Sequence, residues 1–250
     1  MHSAVTAAGL AQGLRSLGIR PGQALEVHCA LGSFGYVEGG AETVIDTLLR
    51  EVEPSGAIVM PAFRLSPHLP LTDEDRRLGL TAKIRILPED AERSAMGIVA
   101  DTFRRRPDVR LGSGVFRTAA WGREAEMHAK GFQHLIDSGG YALLLGVDIY
   151  SLSAMHYVED VMPDGIRARF LPSAEARAKY PEGQWLIEAW APPVKPWYAI
   201  QEQAYARGLV SEIQIGGARC MYFQVLPVIE LYRRALLERP YELYGLYAHR

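Results

Sequence analysis

Cysteine is scarce in this 250-residue chain: Cys29 and Cys220 are too few for a disulfide framework. Long apolar runs are missing too, and none approaches the roughly 20 residues that a membrane span requires. Charge of one sign is not in excess, since 27 Lys and Arg against 29 Asp and Glu leave a formal net charge of −2. That balance offers no electrostatic footprint for nucleic acid or an anionic membrane. The first residues, Met1 to Thr6, lack a basic stretch followed by an apolar one, so nothing suggests secretion. A reducing cytoplasm is the expected setting. No repeat, low-complexity tract or interdomain linker interrupts the sequence. What remains is an ordinary globular balance, 48% hydrophobic and 22% charged. The length supports a single domain over residues 1–250, with a less regular insertion around 163–198.

Apolar spacing over residues 4–18 predicts a helix, closed by the turn Pro21-Gly22. Ala24–Leu31 reads as a strand, Ala41–Val52 as an amphipathic helix and Ala57–Met60 as a second strand. This order implies a parallel pair joined by a right-handed crossover. Arg64–Arg93 is rich in proline and charge without a sustained period, as functional loops often are. Helices are expected over Met96–Arg105, Arg123–Lys130, Ala199–Arg207 and Val228–Leu237, and strands over Arg117–Trp121 and Tyr141–Val147. Ile166–Phe170 and Trp185–Ala189 read as strands of an antiparallel appendage, and Val210–Ile215 can pair with Ala218–Phe223. The expected fold is a three-layer α/β core, a mixed β-sheet flanked by helices, with a small antiparallel extension.

The chemistry concentrates after Tyr141–Val147, where a short polar loop leads into His156-Tyr157-Val158-Glu159. Residues i and i+3 share a helix face, so imidazole and carboxylate can meet. Carboxyl ends of strands in α/β sheets are where ligands sit, and a histidine there can serve as a general base near neutrality. An ordinary surface ion pair accounts for the spacing equally well. The window Gly146–Asp164 holds Asp148, Glu159, Asp160 and Asp164 and no Lys or Arg, a negative field suited to a polycationic amine. A solvated acidic face is the alternative for Asp160 and Asp164. The loop Leu31–Gly40 joins a strand to a helix through glycines, which lets backbone N–H groups converge on an anion, or merely makes a turn. Cys29 adjoins His28, but neighbours on a strand point to opposite faces, so these two cannot pair. Cys29 reads as a small apolar residue, with a cross-site pairing to His156 left open. Arg104-Arg105-Arg106 could meet a phosphate, though a charged helix end is commoner. Trp185, Trp190, Trp197 and Tyr198 are given no role.

Several stretches together carry a resemblance: Leu17–Gly22, Glu26–Leu31, Gly35–Leu48, Gly56–Pro61, Leu145-Gly146-Val147, the His156/Glu159 pair and Ile215–Arg219. From about Leu14 to about Leu236 the chain resembles the aminoglycoside 3-N-acetyltransferase family. The resemblance implies acetyl-coenzyme A as co-substrate, a small-molecule amine as acceptor and antibiotic resistance as the outcome. It implies that Leu31, Gly32, Ser33, Phe34, Gly35 and Val37, with Ser94, Met96 and Gly97, line the coenzyme site. His156 would be the general base and Glu159 its orienting partner, no metal would be needed, and N–H groups near Gly32 and Ser33 would hold the thioester oxygen. Asp148 and Asp160 would face the acceptor. The family typically carries Arg-Ser-x-His-Pro-x-x-Ser before its small Ala-Ala-x-Gly strand. Here Ser113-Gly114 replaces His-Pro, Arg117 replaces Ser, and the chain is shortened after His128. Arg117 would then bear on the acceptor and disfavour a polycation. Two other readings follow: a non-catalytic or repurposed small-molecule binder, and an acyl transferase or hydrolase that uses Cys29. Oligomeric state is not legible.

Overall fold

Strand β1 (Ala24–Cys29) occupies the middle of the sheet, buried on both faces from Leu25 to His28. It pairs in parallel with β2 (Ala57–Pro61), across the predicted crossover helix, which runs Gly40–Val52. The structure, a computed structural model, describes residues 4–246; Met1 to Ser3, at the start of the segment read for a secretion signal, lie outside them. The remaining strands are β3 (Ala82–Arg85), β4 (Arg110–Leu111), β5 (Thr118–Gly122), β6 (Tyr141–Leu145), β7 (Trp185–Glu188), β8 (Ser211–Ile215) and β9 (Ala218–Gln224). Seven of them form one mixed sheet in the order β4-β5-β2-β1-β6-β9-β8, with β6 also parallel to β1 and the outer pairs antiparallel.

Strand alternation divides the core into two layers. Leu25, Val27, Leu143 and Leu145 pack on one face, against Leu10 and Leu14, Val44, Ile45 and Leu48, and Val99 and Phe103. Those residues come from the helices Ala7–Leu17, Gly40–Val52 and Gly97–Phe103. Ala142 and Leu144 pack on the other, with Met155, Ile200, Ile229 and Tyr232. The helices Pro196–Ala206 and Val225–Glu238 cover that side. The three-layer expectation holds for this reason: two-faced burial of β1, β2 and β6 requires a helical layer on each side.

Three local expectations change. Ile166–Phe170 lies in a helix, Asp164–Phe170, not a strand. Pro163 sets its start, Asp164 occupies the first turn and Arg167 and Arg169 the last, all favourable to the helix dipole. The Arg64–Arg93 excursion is partly ordered, because Thr72 and Asp75 form a capping box that starts the helix Asp73–Arg77. It also contains β3, which pairs antiparallel with β7 in a separate two-stranded sheet. Finally, the segment carrying His156 is a 3-10 helix, Ser153–Val161, rather than an α-helix. Side chains at i and i+3 eclipse one another in that geometry.

Candidate active site

A cleft of about 410 Å³ opens at the carboxyl ends of β1 and β2. Its floor is Val27 to Ala30 with Met60 and Pro61; Ala95, Met96, Gly97 and Ala100 form one wall, and Tyr150 to Ser153 with His156 the other. His156 stands on the rim with 62% of its side chain exposed. Its Nδ1 lies 2.9 Å from Glu159 Oε2. The Tyr232 hydroxyl donates to Glu159 Oε1 at 3.0 Å, and Tyr244 hydrogen-bonds Tyr232 in turn. The imidazole edge packs against Trp197, with ring centroids 4.9 Å apart. Bonded through Nδ1, the ring is left with Nε2 for a proton to be transferred. Burial opposes the charged form of His156. The hydrogen bond and charge of Glu159 outweigh it, Glu188 and Glu26 add to them, and the pKa is raised above the ordinary value.

The residues expected to hold a coenzyme divide into two groups. Met96 and Gly97 line the cleft. Ser94 does not: its N–H and hydroxyl both donate to Asp101, and its Oγ accepts from Met96 N, so it shapes the turn that presents Met96. Leu31 to Phe34 form a 3-10 turn just beyond the cleft floor. Phe34 and Val37 are buried in the first core layer, which removes their side chains from any ligand. Ser33 donates through Oγ to Gly146 O and through its backbone N–H to Ala30 O, so that amide is already spent. A Cβ on Gly146, at φ +70°, would stand 2.5 Å from Ser33 Cβ, which is why the strand must end in Leu-Gly-Val. Gly32 and Gly35 are exposed and Leu31 half-buried, and none of the three lines the cleft.

The three expected acceptor contacts are engaged elsewhere. Arg117 is buried, donating to Ala62 O at 3.3 Å and Glu89 O at 2.8 Å, so its cation braces the loop around Glu89 and does not line the cleft. Asp148 caps the turn Ile149–Ser151 by accepting from Tyr150 N and also accepts from the Tyr198 hydroxyl. Asp160 is exposed and 3.5 Å from Arg233. The acidic window is therefore partly neutralised from outside itself, since Arg167 also donates to the carbonyls of Glu159, Asp160 and Met162. Arg104 bridges Asp101 and Ala91 O, while Arg106 reaches Glu42 and Asp46, the charged-helix-end reading of that run.

Cys29 and His28 do point to opposite faces: Cys29 packs on the first core, while His28 reaches the side of the 3-10 helix. Burial, aided by the nearby Cys220, pushes the Cys29 thiol up to about 12, so it meets the cleft as a neutral thiol. A reactive cysteine needs the opposite shift. The site also holds a pair that spacing did not single out. His28 Nε2 is 2.8 Å from Oε1 of Glu26, whose side chain is fully buried. The signal was present: an acid and a histidine at i and i+2 share a strand face. Away from the cleft, Glu124, His128 and His134 bring possible ligand atoms within 4.8 Å of one another, with Glu124 and His134 already 3.2 Å apart. No helix among the described residues is long and apolar enough to cross a membrane.

A family model described as aminoglycoside 3-N-acetyltransferase matches residues 27–236. Aminoglycoside N(3)-acetyltransferase III from Salmonella sp is 31% identical over 188 residues, 62% of this chain and 60% of that protein. The SPbeta prophage-derived aminoglycoside N(3')-acetyltransferase-like protein YokD of Bacillus subtilis is 27% identical over 184 residues, 63% of this chain and 66% of that one. The chain thus spans about three fifths of the length of the curated relatives it matches. Among solved structures, the apoenzyme of AAC(3)-IVa superposes with a TM-score of 0.71 at 21% identity, covering 98% of this chain and 92% of that one. AAC-IIIb in its binary complex with CoASH gives 0.68 at 21% identity, covering 95% and 98%. At these identities the structural likeness establishes the fold.

Proposed function

Because the chain belongs to the aminoglycoside 3-N-acetyltransferase family, we propose that it transfers an acetyl group from acetyl-coenzyme A to a primary amine of an aminoglycoside or related amino sugar. The observation that carries this reading is the His156–Glu159 pair at 2.9 Å, on the rim of a cleft whose opposite wall is Met96-Gly97. More of the cleft wall is apolar than polar, a fit for the thiol end of the coenzyme. That co-substrate supplies an activated acyl thioester. The protein must handle the proton, because an ammonium cannot attack a carbonyl. Nε2 of His156 takes the proton of the acceptor amine as general base while the amine nitrogen bonds the acetyl carbon; the C–S bond then breaks, and the imidazolium returns the proton to the departing coenzyme thiolate. Glu159, held by Tyr232, fixes the tautomer and favours the imidazolium that results. Trp197 limits the ring's rotation. Transfer of this kind would inactivate an aminoglycoside and confer resistance on its host, and the cytoplasm, where acetyl-coenzyme A is made, would be the place of action.

A thiol-release assay with acetyl-coenzyme A across a panel of aminoglycosides tests the reading. His156→Ala is expected to lower turnover by a factor on the order of 10² to 10⁴, the usual worth of a general base. Unchanged turnover in that variant would remove His156 from the mechanism. The absence of any thiol release by the wild type, with acetyl-coenzyme A bound in calorimetry, would favour the repurposed-binder reading that Ser113-Gly114 suggests.

A further inference from the structure

We propose that Glu26 and His28 form a buried positioning pair that anchors the start of the segment carrying His156 and holds a carboxylate beneath it. This inference rests on the acetyl-transfer reading. On the β1 face that meets the second core, the neighbouring inward residues Val59, Ala142 and Leu144 are all apolar. Glu26 and His28 interrupt them at 0% and 8% exposure. Oε1 of Glu26 accepts from His28 Nε2 at 2.8 Å and from the backbone N–H of Ala154 at 3.2 Å. Ala154 lies in the first turn of the 3-10 helix, two residues before His156. The pair therefore ties the central strand to the very segment that aims the imidazole. His28 also reaches the cleft floor.

Anchoring alone would not require an acid. A neutral amide accepts the same two hydrogen bonds without the penalty of burying a carboxylate, which is large unless the charge is used. Here the second oxygen, Oε2, is buried and makes no hydrogen bond, so neither an acid nor an amide is fully satisfied in this pose. What only the acid supplies is negative charge against the segment that carries His156. The ionisable groups around that imidazole are Glu159 on its own helix with Tyr232 hydrogen-bonded to it, Glu188 from β7, and Glu26 and His28 from β1, with the Trp197 ring packed beside it. Glu26 itself does not line the cleft. It acts through His156, by fixing where the ring stands and by favouring the imidazolium formed as the amine loses its proton.

The test compares Glu26→Gln and Glu26→Asp in the full chain. Each is read by kcat and KM, by the pH profile of kcat/KM, and by an NMR titration of the His156 ring. Gln keeps the hydrogen-bond acceptor and removes the charge. It is expected to move both the acid limb and the His156 titration to lower pH by about 0.5 unit or more, a shift one fixed charge can exert across a partly solvated site. KM for acetyl-coenzyme A should stay within about twofold, since uniform binding is untouched. Asp keeps the charge but withdraws it by one methylene from Ala154. It should lower kcat while leaving the acid limb in place. A folded Glu26→Gln protein whose acid limb and His156 titration match the wild type would overturn the proposal, even with a lowered Tm. If the Gln variant does not fold, an unchanged kcat in Glu26→Asp would overturn it. A wild type that releases no thiol with any acceptor defeats the functional reading instead, and the His156 titration in Glu26→Gln then still decides the pair.

Discussion

The seven-stranded sheet is held chiefly by apolar side chains, whereas the two-stranded sheet of β3 and β7 is held chiefly by a carboxylate. Leu143, Leu144 and Leu145 are fully buried between two helical layers. Beside β3 and β7 the apolar cluster of buried residues is only Leu80, Ala176 and Tyr180. There the centre is Asp75, fully buried, which accepts from Lys83, from the Tyr180 hydroxyl and from Thr72 N. Arg85 stacks over Trp185 on the same small sheet. The difference is one of area. Two short strands cannot bury enough apolar surface to stand alone, so a satisfied polar network replaces the missing core. It is also one of function, because β7 delivers Glu188 to the field around His156, while the large sheet delivers the cleft itself.

The comparison can be broken most directly at Asp75. Asp75→Ala leaves Lys83 buried without its partner and should cost about 3–5 kcal/mol, expressed locally. Limited proteolysis should then cut within 64–93 and 173–188 while the urea transition of the large sheet persists. Loss of the whole transition would mean that the two sheets are one cooperative unit. Leu144→Ala tests the other side. Deleting a fully buried leucine there should cost about 2–5 kcal/mol and shift the global urea midpoint.

Acid separates the two sheets more gently. Burial raises the pKa of Asp75, but the hydrogen bonds from Lys83, Tyr180 and Thr72 outweigh it and hold the carboxyl well below the usual carboxylate range. A depressed folded pKa contributes stability that is complete above the unfolded value of about 3.9 and is lost as pH falls through the folded one. Trp185 fluorescence should therefore change in strong acid, below about pH 4, without any matching dependence near neutrality. The smallest effect concerns catalysis. His156 must be neutral to accept a proton, so its raised pKa places the acid limb of kcat/KM above the unperturbed value of about 6.5. Glu188→Gln should lower that limb by about 0.1–0.7 pH unit, the worth of an exposed charge pair of about 0.2–1 kcal/mol. Glu159→Gln should lower it further, because the charge it removes lies in direct contact with the ring.

How much of this was legible depended on how far apart in sequence the interacting groups lie. His156 and Glu159 met as their spacing predicted, even though the helix is of the 3-10 type, because i and i+3 approach in either geometry. Strands β2 and β6 were legible because uninterrupted apolar runs have few alternatives to a doubly covered sheet strand. Ile166–Phe170 misled because its apolar and charged residues alternate as they do in a half-buried strand, and the residues before it, Pro163 and Asp164, decided for a helix.

By itself, then, the sequence determined the parallel pairing of β1 with β2, the crossover between them, the turn that places His156 at a strand end, and the reach of Glu159 to it. Each is a contact within one element or between elements joined by a short connection, and local geometry leaves those little freedom. The tertiary structure alone decided that Arg117 turns inward to Glu89, that Ser94 serves Asp101, that Trp197 backs the imidazole and that β3 finds β7 about a hundred residues away. It also decided that Glu26 lies under Ala154. Side chains at a domain's interior choose partners by which surfaces close packing brings together, and that is settled only when all the layers are in place.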